Sequence, residues 1–310
     1  MSYQVLARKW RPKNFSEVAG QGHVLKTLVN ALDNQRLHHA YLFTGTRGVG
    51  KTTLARILAK CLNCETDITS TPCGMCNACK EIKEGRFIDL IEVDAASRTK
   101  VEDTRELLEN VQYSPACARF KVYLIDEVHM LSRNAFNALL KTLEEPPENV
   151  KFIFATTEIR KVPVTVLSRC QRFDLKRLKM EDLTNLFSTV CQKENVTIEK
   201  DALTALGRAA DGSARDGLSL LDQSMALSSG NITGAVVQGM LGNSDRGKIL
   251  ELFEETMSGD LQGALNRLER MHQNGIDPLL IVQDLLEVVH LVTKFKVHPL
   301  HICLLYTSDA

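Results

Sequence analysis

The sequence has one tryptophan, only 5% aromatic residues and no excess of charge of either sign. Lys plus Arg total 38 and Asp plus Glu total 38 in 310 residues, so the formal net charge is zero. A balanced chain does not bind nucleic acid by bulk charge as a histone does, although a local basic patch is compatible with it. No apolar run approaches the roughly 18–20 residues of a membrane span, so no membrane partner is expected. The start, Met1-Ser2-Tyr3-Gln4, lacks the apolar core of a signal peptide, and the expected location is the cytoplasm. Without that signal the nine cysteines are not expected to form a disulfide framework. Internal repeats and low-complexity tracts are also missing. What is present is 44% hydrophobic and 25% charged residues, the mix of a soluble globular protein. Leu, Ala, Lys and Glu dominate, which favours helices with a modest sheet. The length suits two or three domains better than one.

The first thirty residues are locally basic, with Arg8, Lys9, Arg11, Lys13 and Lys26 against Glu17. Pro12 disfavours helix at Arg11, so Trp10-Arg11-Pro12 reads as extended chain. A helix is predicted over His23–Asn34, with Val24, Leu25, Leu28 and Leu32 on one face. Ala40–Thr44 is a short apolar strand, and Thr53–Leu62 repeats apolar residues at helical spacing. Further strands are predicted at Phe87–Val93, Phe120–Ile125 and Val150–Thr157. A helix over Arg133–Leu143 is stopped by Pro146-Pro147. This alternation implies a mostly parallel sheet covered on both faces. After about Leu175 no further strand is convincing, and helical periodicity runs through Leu183–Phe187 and Leu203–Ala210. The expected domains are 1–177, 178–242 and 243–301. Residues 302–310 lack periodicity, and Cys303–Ala310 can be encoded by a transposase-type sequencing adapter read in frame; 302–310 is expected to be a non-native tail.

Gly45, Thr46, Arg47, Gly48, Val49, Gly50, Lys51 and Thr52 form a phosphate-loop pattern that follows a strand and opens a helix at Thr53. Such glycines let backbone N–H groups converge on phosphate oxygens, and the helix N-terminus adds positive partial charge. Lys51 would reach the β- and γ-phosphates of ATP, and Thr52 would hold Mg²⁺. An apolar strand ending in Asp126-Glu127 supplies a second Mg²⁺ ligand, Asp126 acting through water. Glu127 would orient or deprotonate the attacking water. Two acids after a strand are usually a solvated turn; the phosphate loop is what changes that reading. Thr157, ending the next strand, is placed to hydrogen-bond the γ-phosphate or the water.

Cys64, Cys73, Cys76 and Cys79 offer four thiolates, and the two short steps let sulfurs converge on tetrahedral Zn²⁺. An iron–sulfur cluster or unligated thiols are the alternatives. A closed four-Cys site leaves no open position, so its expected role is structural. Cys61 is expected in the core, with Cys117, Cys170 and Cys191 as ordinary thiols.

Taken together, several segments resemble the clamp-loader group of AAA+ ATPases. They are Ala7–Pro12 with Gly20-Gln21, Gly45–Thr52, the four-Cys insertion, Glu92–Ser97, Leu124–His129, Lys141–Pro147 and Ser168-Arg169-Cys170. The resemblance runs from Met1 to about Val297. It implies a RecA-like α/β domain with a zinc insertion, then an all-α lid and a collar of which only the start is matched. It implies that Arg11, Pro12 and Val18 belong to the part that walls the adenine. It implies that Thr157 is sensor 1, that Arg169 reaches the ATP of a neighbouring subunit, and that Arg215 is sensor 2 on the lid. It further implies a pentameric ring with other clamp-loader subunits that opens a sliding clamp and grips primer–template DNA through phosphates, at the bacterial nucleoid. No polymerase site is present, so a polymerase label for such a family describes the holoenzyme. Lys100 and Arg105 are the candidate phosphate contacts; a solvated helix face is the plain alternative. A Holliday-junction motor or initiator ATPase is disfavoured by Ser-Arg-Cys and the four cysteines. A non-hydrolysing scaffold is disfavoured by the complete set Gly50, Lys51, Thr52, Asp126 and Glu127.

Overall fold

A computed structural model describes residues 4–97, 111, 113–228, 230–241, 246–273, 276 and 278–297. Lys100, Arg105 and the 302–310 tail lie outside the described residues. The chain divides into two units, one ending at Ile232 and one beginning at Thr233.

In chain order the first unit holds α1 (Leu6–Lys9), α2 (Gly22–Asp33), β1 (Ala40–Thr44), α3 (Lys51–Asn63), α4 (Asn77–Glu84), β2 (Leu90–Asp94) and β3 (Lys121–Asp126). It continues with α5 (Arg133–Glu144), β4 (Val150–Thr156), α6 (Val164–Leu167) and β5 (Gln171–Asp174). The lid follows as α7 (Met180–Glu194), β6 (Thr197–Ile198), α8 (Lys200–Ala209), α9 (Ala214–Leu227) and β7 (Asn231–Ile232).

Strands β1 to β5 form one parallel sheet in the order β2-β3-β4-β1-β5. Its central strands are buried on both faces, as every residue of β1 and β4 shows. That burial explains why they read as continuous apolar runs. Successive side chains serve opposite layers. Tyr41, Phe43, Val122, Leu124 and Ile153 join the layer with α2, α3 and α4. Ala40, Leu42, Tyr123, Ile125, Phe152 and Phe154 join the layer with α5 and α6. Helix α5 starts where the Ser132 hydroxyl accepts from the Ala135 N–H, a cap worth about 1 kcal/mol, and it stops just before Pro146. It buries Ala135, Phe136, Leu139 and Leu143, each large side chain contributing roughly 1.5–3 kcal/mol.

Strand β2 begins at Leu90, later than the predicted Phe87, because the Leu90 N–H turns back to the Phe87 carbonyl. Buried Asp89 has a different task. Its carboxylate accepts the N–H groups of Ala116 (2.7 Å), Cys117 (2.8 Å) and Ala118 (2.8 Å), pinning the loop before β3. Burial alone would raise this carboxyl, but the three N–H donors outweigh it and hold it below the usual carboxylate range. Such a group adds stability that is fully present above about pH 4 and is lost as pH falls through the lower folded value. Asp89→Asn turns an amide N–H₂ toward an N–H donor. Urea melts at pH 7 should show a loss of about 1–3 kcal/mol, with the gap closing on acidification; equal midpoints at pH 7 would refute the loop-pinning role.

The lid is mostly helical. It buries Leu183, Phe187, Leu206 and Leu221, and Gly217 packs where a Cβ would overlap the Phe187 ring. It also carries the two-residue parallel pair β6–β7, which helical periodicity did not signal. The N-terminal segment is tied to this lid. Trp10 Nε1 donates to Glu194 at 2.6 Å, Lys9 pairs with the same carboxylate, and Lys193 lies over the Trp10 ring at 4.9 Å.

The second unit contains α10 (Gly234–Leu241), α11 (Arg246–Ser258), α12 (Leu261–Gln273) and α13 (Pro278–Val297). Ile249, Leu252, Ala264, Met271 and Ile281 form its core, and Arg267 forks onto Glu251 and Glu255. Among the described residues no helix is long and apolar enough to cross a membrane.

Candidate functional site

Strand order decides which side chains meet. Because β4 lies between β3 and β1, the residue after β4 falls between the phosphate loop and the acid pair, at the carboxyl ends of the strands where ligands bind in open α/β sheets. Thr52 on α3 donates its hydroxyl to Asp126 Oδ2 at 2.7 Å. Lys51 is buried, and its ammonium donates to the carbonyls of Gly45 (2.8 Å) and Thr46 (2.9 Å). Burial pushes the Lys51 ammonium down, while Glu127 and Asp126 push it back up. The lysine thus bridges two carbonyls of its own loop.

The chain leaves β3 through Glu127 in the left-handed region (φ 47°, ψ 47°). That conformation is uncommon for a residue with a side chain, and such strain persists where the surroundings over-determine it. Glu127 Oε2 accepts the Thr157 N–H at 3.0 Å and the Thr157 hydroxyl at 2.8 Å. His129 joins the same group: its Nδ1 lies 2.9 Å from Thr156 Oγ1 and 3.3 Å from Glu127 Oε2. In the sequence His129 ends the segment Leu124–His129, but a histidine two residues past an acid pair carries no pattern of its own.

Lid and loop meet at Gly48 (φ 79°), where a Cβ would overlap the Ser213 hydroxyl. The Arg215 N–H donates to the Gly48 carbonyl at 3.3 Å. Half-buried Arg11 lies near Arg56, Glu92 and Arg215. Burial first, then Arg56, lowers its pKa, with Glu92 opposing. Arg56 pairs with Glu92 at 2.5 Å. Pro12 and Val18 flank this N-terminal crossing, which the Lys60 ammonium holds by donating to the Lys13 carbonyl at 2.8 Å. Arg47, Val49, Gly50 and Thr53 complete the loop and first turn, Val49 being buried. Arg169 is held elsewhere, donating to Glu144 Oε1 at 2.7 Å and to the Thr165 carbonyl at 2.8 Å.

Sulfurs of Cys64, Cys73, Cys76 and Cys79 all lie within 4.8 Å of one another. Four ligands at about 2.3 Å from one Zn²⁺ need sulfurs a little under 4 Å apart, so the donor set fits a tetrahedral metal. Backbone N–H groups of Cys73, Cys76 and Cys79 each point at a cluster sulfur at 3.4 Å; the Cys76 N–H draws the Cys73 thiol down, while burial pushes the Cys79 thiol up. Burial raises the Cys64 thiol, but hydrogen bonds from Thr66 and the Cys73 N–H outweigh it and leave it at about 6. Cys64 closes α3 and Cys76 caps α4, so a metal held by the four sulfurs would join the ends of two core helices. Cys61 is buried beside it.

The sheet order, the loop after β1 and the helical lid define an AAA+ fold. The Thermotoga maritima RuvB Holliday junction branch migration motor shares that fold, with a TM-score of 0.58, 20% identity and 86% of each chain covered. Three family models match: "DNA polymerase III, delta subunit" over 20–179, the DNA polymerase III clamp loader subunit ATPase lid domain over 183–230, and the DNA polymerase III gamma and tau domain III over 232–305. DNA polymerase III subunit tau of Salmonella typhimurium is 54% identical over 96% of this chain and 47% of its own. The gamma subunit of Buchnera aphidicola subsp. Baizongia pistaciae is 45% identical over 96% of this chain and 81% of its own. The chain belongs to the tau/gamma family of DNA polymerase III clamp-loader subunits. It spans about half the length of the Salmonella tau relative.

Proposed function

We propose that the chain binds and hydrolyses ATP as a motor subunit of the clamp loader. The observation that carries this is the Thr52–Asp126 contact at 2.7 Å beside a Glu127 held by Thr157. The loop N–H groups from Gly45 to Thr53, with Lys51, bind the phosphates. Arg11, Pro12 and Val18 wall the base, and Arg215 approaches from the lid. Thr52 and Asp126 hold Mg²⁺, which when bound neutralises charge on the phosphates. Glu127 takes a proton from water as the water oxygen bonds to the γ-phosphorus. The bond to the bridging oxygen breaks, and ADP leaves with its electron pair. Thr157 fixes the Glu127 carboxylate during that transfer. Arg169 serves the neighbouring subunit, so turnover depends on assembly.

We further divide the chain into ATPase (1–177), lid (178–242) and partial collar (243–301) parts, in a bacterial, cytoplasmic ring that loads a sliding clamp onto primer–template DNA through phosphate contacts. Such contacts make affinity fall steeply with salt. The four cysteines hold Zn²⁺ as a structural staple. Elemental analysis should return one zinc and no iron per chain; iron at that stoichiometry would overturn the metal assignment. The test of function is ATP hydrolysis after reconstitution with the other ring subunits. Stimulation requiring both clamp and primed DNA is expected. Turnover indifferent to the clamp would leave an AAA+ ATPase without the loading role.

A further inference from the structure

We propose that His129 is a positioning residue for this ATPase reaction: with Thr157 it holds one oxygen of Glu127, so that the other is presented to water. The inference rests on the ATPase reading of the same site. His129 sits just past Glu127, in the turn Val128–Met130 that follows β3. Its side chain is only 6% exposed. Nδ1 faces two oxygens, Thr156 Oγ1 at 2.9 Å and Glu127 Oε2 at 3.3 Å. A carboxylate oxygen only accepts, so the hydrogen is assigned to Nδ1 from its surroundings. Nε2 lies 3.7 Å from Glu158 Oε1, and Glu158 is in turn paired with Lys161.

Glu127 Oε2 is thereby met from two segments: the Thr157 N–H and hydroxyl donate to it, and His129 Nδ1 stands 3.3 Å away on the other side. Oε1 takes part in none of these contacts. A base must be oriented as well as basic, and a strained left-handed residue such as Glu127 needs its side chain fixed from outside. Thr156 and Thr157 are neighbours at one strand end, so the His129–Thr156 and Glu127–Thr157 bonds form a double clasp between β3 and β4. A histidine that merely filled the core would be satisfied by Thr156 alone. Nδ1 also stands 3.3 Å from the Glu127 carboxylate, the group that the ATPase reading makes the base.

The test compares clamp-loader rings reconstituted with the 310-residue chain with rings carrying H129A or H129N, whose amide nitrogen replaces Nδ1. Steady-state ATP hydrolysis, binding of a fluorescent ATP analogue and thermal melting are measured on each. H129A should lower kcat on the order of 10- to 100-fold, the range expected for misplacing a reacting group, with KM and analogue affinity within about twofold, and H129N should recover most of the loss. Unchanged kcat in H129A, or a KM rising in step with the fall in kcat, would overturn the inference. If H129A does not melt cooperatively, H129Q carries the comparison; it fills the space but moves its donor to the Nε2 position, and kcat should fall as in H129A. Rings reconstituted with the wild-type chain that show no turnover would instead overturn the ATPase reading, and the inference with it.

Discussion

Replacing Arg169 with alanine should leave ATP binding intact and lower the DNA- and clamp-stimulated turnover of the assembled ring by about 10³–10⁵-fold. The size follows from what the group would do in a neighbour's site. A guanidinium brought against the transferred phosphoryl group neutralises developing charge in a dry setting, where each such contact is strong. Within its own chain Arg169 is held by Glu144 and the Thr165 carbonyl. The Glu144 pair is partly exposed and is worth at most about 1 kcal/mol, so exchanging it for phosphate costs little. Basal turnover of the isolated variant should match the wild type. Lysine should not substitute, since it lacks the planar fork of donors. Normal stimulated turnover in rings built with R169A would refute the trans role.

Changing Lys51 to alanine should lower ATP turnover by at least about 10²–10³-fold while leaving the melting curve nearly unmoved. Two separate consequences add. The positive charge proposed to meet the phosphates disappears, and the Gly45 and Thr46 carbonyls lose their shared donor. A loop that must first be arranged binds more weakly than one already shaped. Phosphate-release assays beside circular-dichroism melts check both parts. Undiminished hydrolysis in K51A would overturn the assignment of the whole nucleotide site.

The parts of the site legible in the sequence are those written locally. The phosphate loop, Asp126-Glu127 and the four cysteines each sit in one short stretch whose spacing carries its own chemistry. The central strands were legible because burial on both faces leaves continuous apolar runs. Strand β5 was not. It is an edge strand in which only Phe173 of Gln171-Arg172-Phe173-Asp174 is buried, so it offers neither alternation nor an apolar run. The pair Thr197–Ile198 with Asn231–Ile232 forms only when the lid helices bring the two ends together. His129 failed for the same reason in the site: its significance lies in Thr156 and Glu127, joined across β3 and β4. Arg215 stood out only through family resemblance, because Gly48 and Ser213 are far apart in the chain and touch only in the folded structure.

The parallel sheet sets a problem for the chain as it leaves the ribosome. Strand β1, buried at every residue, pairs only with β4 and β5, so no sheet partner exists until residues 45–149 have been synthesised and Val150–Thr156 has followed. At about 5–20 residues per second, that wait lasts on the order of 5–20 s. Throughout it, the apolar segment Ala40-Tyr41-Leu42-Phe43-Thr44 is without either of its eventual strand neighbours. The four cysteines, by contrast, lie between Cys64 and Cys79, so all of that cluster's sulfur ligands have emerged long before β4 is made.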